Sequence, residues 1–190
     1  MQVAQIAKCA GKEIMKIYAT DFAVGSKDDQ SPVTAADKIA EDVIITALIN
    51  NMDSKFPLVS EEAASEVQPP PVDHNPFWLI DPLDGTKEFV NRNGEFTVNI
   101  ALIEEFSPLL GVVYIPVQNT TYVGFPAGAY RIQDDLPPEN INCRTAPEAG
   151  LTALVSRSHH TKEIDHYLCN FNVTNEISAG SSLKFCRVAE

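Results

Sequence analysis

Two aspartates three positions apart follow an apolar run in the segment WLIDPLDGTKEF, residues 78 to 89. Like charges this close repel each other, so Asp81 and Asp84 predict either a solvated turn or a site that holds a positive ion. With the carbonyl of Leu83 between them, they offer only oxygen ligands, which suit Mg²⁺ when it keeps waters and shares phosphate oxygens. The alternative interpretation is a helix-capping aspartate with a solvated neighbour, because helix starts attract acids.

The residues around the second aspartate are typical of an anion contact. Gly85 permits close approach of the backbone to a ligand, and the segment GTKEFVNR can begin a helix whose free N–H groups point at an anion. Pro82 fixes φ and has no donor, which suits a turn or the first position of a helix. The segment therefore predicts oxygen ligands followed by an anion-binding helix start.

Two further acidic signals lie upstream at the ends of apolar elements. The segment Thr34-Ala-Ala-Asp37 resembles a capping box ahead of a helix, although Glu or Gln is the usual third-position partner. Ser60-Glu61-Glu62 is by itself an ordinary acidic strand end. Each signal is weak alone, but they become one stronger signal if the ends of these elements converge on Asp81.

Polar residues near the end of the sequence each have an ordinary interpretation. Two histidines are typical of a polar loop, two serines of a helix N-cap, a lysine of a solvated surface, and one cysteine of a core shared with its apolar neighbours. These residues are His159 and His160; Ser181 and Ser182 after Gly180; Lys184; and Cys186 with Leu183 and Phe185.

Composition and charge exclude several classes of protein. The 190 residues are 44% hydrophobic and 21% charged, which provides an ordinary core and is not typical of a disordered chain. The formal net charge of −12 argues against nucleic acid as a partner, because its phosphates are met by lysine and arginine. An acidic protein can still bind an anion if metal ions supply the positive charge.

The cysteines and the hydropathy of the chain predict its compartment. Four cysteines, at positions 9, 143, 169 and 186, have no metal-ligand spacing and predict reduced, mostly buried thiols. The N-terminal residues contain no secretion signal, and no apolar stretch approaches the roughly 18 residues needed to span a bilayer. We therefore expect a soluble, cytoplasmic protein with no integral membrane segment.

Hydrophobic periodicity predicts an α+β part followed by an α/β part. The first part contains two amphipathic helices and a series of short strands that suits an antiparallel meander. Its predicted helices cover 3–17 and 34–50, its strands lie at 56–60 and 77–80, and its meander covers 95–133, with turns at 107–108, 118–119 and 126–128. Loops are predicted at 25–32, 67–76 and 134–140.

The second part alternates strand and helix, which implies a βα layer. Its predicted strands are 152–156 and 176–180, and its predicted helices are 161–171 and 181–190. A boundary at 146–150 divides the chain into an N-terminal α+β metal-binding domain at 1–149 and the beginning of a C-terminal α/β domain at 150–190. About 40 residues would struggle to bury a core alone.

Four segments together resemble a known enzyme family. SPVTAAD, LVSEE, WLIDPLDGTKEF and NGEFTVNIAL, beginning at residues 31, 58, 78 and 93, resemble the lithium-sensitive, magnesium-dependent phosphatase superfamily that includes inositol monophosphatase. TKEF after DPLDG, SRSHH at 156–160 and GSSLKFCRVAE at 180–190 are similar to its bacterial 3'(2'),5'-bisphosphate nucleotidase branch. The resemblance implies a layered αβαβα sugar-phosphatase-like fold, with the second α/β layer incomplete.

The resemblance also implies a role for individual residues. It assigns Mg²⁺ ligands, with Asp81 bridging two ions, and a pair that orients and activates the attacking water. It further assigns contacts to the nucleotide or its phosphates. The implied metal ligands are Glu61, Asp81, the Leu83 carbonyl and Asp84; the catalytic pair is Asp37 and Thr86; and the substrate contacts are Glu61, Leu83, Asp84, Gly85, Thr86, His159, Gly180, Ser181 and Lys184.

The implied activity is Mg²⁺-dependent hydrolysis of adenosine 3',5'-bisphosphate to AMP and phosphate, extending to its sulfated relative in sulfur assimilation. Inhibition by lithium, a homodimer and peripheral association with the inner membrane are further expectations of the resemblance. The family continues with a W-D-x-A-A-like segment that supplies another metal ligand, and no such segment precedes Glu190. We therefore expect a truncated product with poor turnover.

Two other functions stay open at the level of sequence. An inositol or sugar phosphatase would gain nothing from a 5'-phosphate on its substrate, and replacement of Lys184 would not matter to it. An inactive fragment would bind metal or a protein partner and release no phosphate at any Mg²⁺ concentration.

Overall fold

The computed structural model describes residues 2–21, 32–52, 56–62, 74–134 and 136–190. Most of the predicted loop at 25–32 and of the proline-rich connection at 67–76 lies outside the described residues, as does the side chain of Thr34. No helix in the described ranges is long and apolar enough to cross a membrane.

Two long helices open the described structure and pack against each other. Helix α1 covers Gln2–Tyr18 and helix α2 covers Pro32–Asn51, close to the predicted bounds. Each buries an apolar stripe at helical spacing, which is what an amphipathic sequence requires. The buried residues of the two stripes are Val3, Ala4, Ile6, Ala7, Ala10 and Ile14 of α1 and Ala36, Ala40, Ile44 and Leu48 of α2.

A seven-stranded sheet follows, and its strand order is the order of the sequence. The first pair, β1 and β2, is parallel, and every later pair is antiparallel, so the predicted meander is present. The strands are β1 Leu58–Ser60, β2 Phe77–Asp84, β3 Thr97–Glu104, β4 Ser107–Ile115, β5 Thr120–Phe125, β6 Gly128–Gln133 and β7 Glu139–Ile141. A short helix α3, Thr86–Val90, follows β2, and a 3₁₀ turn, Pro116–Gln118, follows β4.

The last forty residues form a separate two-stranded parallel sheet with two helices. Strand β8 covers Leu151–Ser156, helix α4 Lys162–Leu168, strand β9 Val173–Ala179 and helix α5 Leu183–Ala189. The chain leaves the first sheet after Ile141 and enters the second at Leu151, close to the predicted boundary. That the two parts fold as separate domains stays a prediction.

Helices cover both faces of the first sheet. Helices α1 and α2 pack on one face, where Trp78, Ile100 and Tyr114 are buried against them. On the other face, Ile115 and Tyr122 pack against Leu183 and Cys186 of α5. Because α5 also contacts β8, the layers follow one another as helices, sheet, helix and second sheet.

The structure corrects three of the predicted element bounds. Strand β2 continues through Pro82 to Asp84, and the ladder to β3 is irregular between Asp81 and Asp84 because proline has no N–H to donate. The turn predicted at 107–108 lies instead at Glu105 and Phe106, whose φ values of 48° and 60° suit a two-residue hairpin. Part of the loop predicted at 134–140 belongs to β7, whose backbone pairs with β6.

Two predictions about side-chain burial were wrong. The four thiols are free, but Cys9, Cys143 and Cys169 are exposed and only Cys186 is buried. Phe185, expected in the core with Leu183, is 75% exposed. Its position two residues after Leu183 turns it about 200° around the helix axis, away from the sheet that buries Leu183 and Cys186.

Candidate active site

A cleft of about 360 Å³ lies where the carboxyl end of β2 meets the start of α5. It brings together residues from the first sheet, from α3 and from the turns that follow β8 and β9. The residues that line it are Glu61, Leu83, Asp84, Gly85, Thr86, Lys87, Glu88, Ser156, His159, Ser181, Ser182, Lys184 and Phe185.

Strand pairing places the predicted acidic residues next to one another. Strands β1 and β2 are parallel with Ser60 opposite Ile80, so Glu61 and Asp81 emerge from the same end of the sheet. Burial, the charges of Asp84 and Glu61, and a hydrogen bond that protonated Asp81 donates to Glu61 raise the pKa of Asp81, while a hydrogen bond from Asn99 lowers it. The acidic signals that were separate in sequence therefore converge at this end of β2.

Asp81 also has an unsatisfied buried oxygen. Its Oδ1 atom is buried and has no hydrogen-bond partner in the described part of the chain. An orphaned carboxylate oxygen is costly unless something positive satisfies it, so the Asp81 site fits a hard cation bound by oxygen ligands. Among the described residues, no three acidic, imidazole or thiol side chains form a group that could hold a metal ion as they stand.

Asp37 lies on α2 and is only 4% exposed. Burial, as the largest cause, and then the nearby charges of Glu62, Asp81, Glu61 and Glu41 together raise its pKa to about 8. Asp37 does not line the cleft, whereas Thr86 does. No direct hydrogen bond between Asp37 and Thr86 is present in the residues that the structure describes, so their joint catalytic role stays a prediction.

Ser182 connects the two aspartates of β2 to the second sheet. Its backbone N–H donates to Oδ2 of Asp84 at 2.6 Å, and its hydroxyl donates to Oδ1 of Asn99 at 2.8 Å. Asn99 faces Asp81 in the β2–β3 register and hydrogen-bonds its carboxylate. Since the Ser182 hydroxyl donates to Asn99, it accepts from Thr97, which lies opposite Asp84, at 2.8 Å.

Glycine is required at two positions where the two sheets approach. Gly85 has φ of 92°, and a Cβ atom there would lie 3.1 Å from the carbonyl oxygen of Glu95 and from Cβ of Ser181. A Cβ atom on Gly180 would lie 2.9 Å from the same carbonyl oxygen and from Cδ of Glu88. Only glycine lets the turn before α5 pack this closely against α3.

An ion pair between Arg157 and Glu95 also stabilises the turn before α5. Arg157, after β8, donates to both carboxylate oxygens of Glu95 at 2.7 and 2.8 Å and to the carbonyl of Ser178 at 2.8 Å. Glu95 also accepts the backbone N–H of Gly180 at 2.7 Å. The hydrogen bonds from Arg157 and Gly180 lower the pKa of Glu95, because they stabilise its charged form.

We expect Glu95→Gln and Arg157→Gln each to lower the free energy of unfolding by about 1 kcal/mol at neutral pH, a small value because Arg157 is 42% exposed and solvent screens the pair. The pKa of Glu95 is depressed in the folded state. The contribution of this carboxylate to the free energy of unfolding is therefore full above its ordinary pKa, and it is lost as pH falls through the pKa of the folded state. Urea unfolding across this acidic range measures the loss.

Glu176→Gln, on the exposed surface of β9, is the matched control for this carboxylate. A double variant of Glu95 and Arg157 that costs the sum of the two single effects would show that the ion pair does not couple the residues.

The predicted substrate residues occupy different parts of the turn and cleft. Ser181 and Lys184 line the cleft, and Nζ of Lys184 donates to the carbonyls of Ser181 at 2.6 Å and Ala179 at 3.3 Å. Gly180 is buried, and its N–H is used by Glu95 rather than directed at the cleft. His159 lines the cleft, and its Nε2 lies 3.0 Å from Nζ of Lys87.

Sequence reasoning missed several residues that build this region. Ser182 and Asn99 were read as a helix cap and a strand residue, and Glu95 and Arg157 were not singled out. No local signal connects them, because Glu95 and Arg157 are 62 positions apart and Ser182 and Asp84 are 98 positions apart. They lie in the segments RNGEFTVNIAL, SRSHH and GSSLKFCRVAE, and only the resemblance of these segments to the family indicated that they matter.

Comparison with known proteins identifies the class to which this fold and site belong. The inositol monophosphatase family matches residues 2–190, so the chain belongs to the inositol monophosphatase family. The predicted resemblance is confirmed. Membership of this family, together with similarity to named 3'(2'),5'-bisphosphate nucleotidases, shows that the protein is a phosphatase.

The curated relatives include bacterial nucleotidases of this family. The chain is 44% identical over 195 residues to the 3'(2'),5'-bisphosphate nucleotidase CysQ of Escherichia coli, covering all of this chain and 76% of that protein. It is 39% identical over 191 residues to the CysQ of Buchnera aphidicola, again covering all of this chain and 71% of that protein.

Solved structures confirm the predicted α/β fold class. CysQ from Bacteroides thetaiotaomicron, described as a bacterial member of the family, superposes with a TM-score of 0.80 at 36% identity, covering 99% of this chain and 75% of that one. SuhB of Mycobacterium tuberculosis, at 22% identity, superposes with a TM-score of 0.74 over 98% of this chain and 71% of that one, which supports the fold alone.

Proposed function

We propose that the protein hydrolyses the 3'-phosphate of adenosine 3',5'-bisphosphate to give AMP and phosphate, and that it also accepts the sulfated relative of this nucleotide. The supporting observation is that Glu61 and Asp84 line one cleft and both interact with the buried Asp81, in a chain 44% identical to named bisphosphate nucleotidases. Phosphoryl transfer depends on positioning and charge neutralisation, which an acidic cleft with bound cations provides.

Mg²⁺ is the cation that these residues fit best. The donor set of Glu61, Asp81, the Leu83 carbonyl and Asp84 consists of oxygen atoms, and the buried Oδ1 of Asp81 lacks a partner. Members of this family are generally metal-dependent phosphatases. When bound, Mg²⁺ ions neutralise phosphate charge and lower the pKa of a coordinated water.

The residues around the metal ligands have separate tasks in this proposal. Asp37 and Thr86 orient and deprotonate the attacking water, with the Thr86 hydroxyl accepting from the water and donating toward a carboxylate. Water oxygen forms a bond to phosphorus, the bond between phosphorus and the 3'-oxygen breaks, and the 3'-oxygen takes up a proton. Ser182 and Asn99 hold Asp84 and Asp81 in place through the hydrogen bonds described above.

The turn before α5 and the loop after β8 bind the nucleotide in this proposal. Gly85 and Thr86 contact the reacting phosphate at the start of α3, while His159, Ser181 and Lys184 contact the rest of the nucleotide from the facing wall. Lys184 keeps one N–H beyond its two carbonyl contacts. Gly180 contributes by allowing the close approach of the two walls.

Phosphate release from two substrates tests the proposal. With Mg²⁺ present, we expect release from adenosine 3',5'-bisphosphate to exceed release from an inositol monophosphate by at least about tenfold in kcat/KM, because the second phosphate adds a charged contact. Removal of Mg²⁺ with a chelator should abolish both reactions, and restoring Mg²⁺ should recover them.

Equal rates on the two substrates would favour an inositol or sugar phosphatase instead. Mg²⁺ binding measured by titration calorimetry, combined with no phosphate release at any Mg²⁺ concentration, would identify a chain that binds metal without catalysis.

A further inference from the structure

One lysine on the wall of the cleft has no role among the metal ligands, catalytic residues and substrate contacts that the family resemblance implies. Lys87 is the second residue of α3, immediately after Thr86, and it lines the cleft with His159 and Lys184. Its Nζ lies 3.0 Å from Nε2 of His159, which is 72 positions away in the chain. The contact thereby joins a lysine that follows β2 of the first sheet to a histidine that follows β8 of the second sheet.

The contact determines the role of each nitrogen. An ammonium group has only donors, so Nε2 of His159 accepts from Lys87 and the imidazole proton is on Nδ1. Lys87 keeps its positive charge and its remaining N–H groups, and His159 keeps one N–H donor. A positive charge surrounded by N–H donors is the chemistry that recognises a phosphate group.

The other cation of the cleft has less capacity for a ligand. Nζ of Lys184 already donates to the carbonyl oxygens of Ser181 and Ala179, at 2.6 and 3.3 Å. These contacts hold the turn before α5 and leave one N–H. Lys87 has only His159 as a hydrogen-bond partner among the described residues, so it offers more donors to an incoming anion.

The acidic residues of the cleft have other partners. Asp84 accepts the backbone N–H of Ser182 at 2.6 Å, and Glu88 accepts the hydroxyl of Ser158 at 2.5 Å. Within the described ranges, no ion pair joins Lys87 to a carboxylate. Its charge is therefore available to an anion even though the protein as a whole is strongly acidic.

We propose that Lys87 and His159 together bind the non-reacting phosphate of the bisphosphate substrate, which makes Lys87 a specificity-determining residue. The proposal rests on the proposed function, because only a bisphosphate carries a second phosphate. Two of the carboxylates expected to hold the reacting phosphate through Mg²⁺, those of Glu61 and Asp84, line the same cleft. One ligand can thus engage the metal ligands with one phosphate and the Lys87–His159 pair with the other.

The test compares two substrates that differ by one phosphate. We measure kcat/KM for adenosine 3',5'-bisphosphate and for adenosine 3'-monophosphate in the wild type and in Lys87→Met. We expect the ratio of the two values to fall about tenfold in Lys87→Met, since one charge-assisted contact is lost at an exposed site. Lys12→Met, on the exposed face of α1, is the matched control and should retain the wild-type ratio.

Binding of AMP supplies a second measurement that does not depend on turnover. Titration calorimetry with Mg²⁺ present should show AMP binding Lys87→Met about tenfold more weakly, because AMP carries the 5'-phosphate that the pair would hold. His159→Gln should weaken the same binding, and the double variant should lose less than the sum of the single losses.

Each outcome distinguishes this inference from the proposed function. If wild type prefers the bisphosphate and Lys87→Met keeps that preference, the role of Lys87 is overturned and the nucleotidase activity stands. An equal loss on both substrates would show that Lys87 acts on the reacting phosphate or on the shape of the cleft, and would also overturn the specificity role. If wild type hydrolyses both substrates equally well, the second-phosphate site is wrong and the nucleotidase activity stands. If it hydrolyses neither, the proposed function is wrong and the role of Lys87 goes with it.

Discussion

Asp81→Asn is expected to lower metal-dependent phosphate release by about 10³-fold or more, the largest effect of any single substitution considered for this protein. Asp81 lies between Glu61 and Asp84 at the end of β2, and one of its oxygens is buried without a partner. An amide has nearly the same shape but no charge, so it cannot neutralise a cation in the same way. Phosphate release from adenosine 3',5'-bisphosphate at saturating Mg²⁺ measures the effect.

The same substitution should leave the fold intact and increase stability when no metal is bound. Asp81 is buried beside two other carboxylates, and removing its charge relieves their repulsion. Thermal unfolding without and with Mg²⁺ measures this difference, and Mg²⁺ should stabilise wild type more than the variant. Asp42→Asn, on the exposed surface of α2, is the control and should change neither quantity. Full activity in Asp81→Asn would contradict a mechanism in which Asp81 binds a catalytic metal ion.

Gly180→Ala is expected to have the second largest effect, through packing rather than chemistry. The added Cβ would lie 2.9 Å from the carbonyl oxygen of Glu95 and from Cδ of Glu88, and closer still to Cγ of Glu88. Glu88 cannot easily move away, because it is 3% exposed and accepts the hydroxyl of Ser158. We expect a loss of about 1–3 kcal/mol in the free energy of unfolding, typical of overpacking.

The turn that carries Ser181, Ser182 and Lys184 must shift to accept the extra methyl group. A displacement of this wall of the cleft is expected to lower kcat/KM by about 10²-fold, because the substrate and metal contacts depend on its position. Gly124→Ala is the matched control, since nothing lies within 4 Å of a Cβ there and alanine is favoured over glycine in a strand. Wild-type stability and activity in Gly180→Ala would contradict the close packing of the two walls.

Helices and strands were predictable from sequence wherever the apolar pattern was long or regular. Helices α1 and α2 and the meander strands β3 to β6 lie close to their predicted bounds, because an amphipathic period of 3.6 or 2 reports directly which face is buried. The pattern failed at Pro82, where a strand continues through a residue typical of turns, and at β7, a three-residue strand formed by backbone pairing rather than by apolar side chains.

Side-chain burial was less predictable in the short helix α5. Leu183 and Cys186 face the sheet, while Phe185 is exposed at the mouth of the cleft, although all three are apolar. A seven-residue helix completes too few turns to display an apolar period, so composition alone suggested a uniform core. The exposed thiols of Cys9, Cys143 and Cys169 have the same explanation, because residue type gives only the average burial of cysteine.

The sequence by itself determined which residue types are present for the chemistry: acids after apolar runs, a glycine and a threonine behind them, and a resemblance that named the family. Tertiary structure decided which of these meet. Parallel pairing of β1 with β2 brings Glu61 to Asp81, and the packing of α5 on the first sheet brings Ser182 to Asp84 and Asn99. Such contacts span up to 98 residues, and they form because the sheet and α5 bury their apolar faces together, which no local pattern encodes.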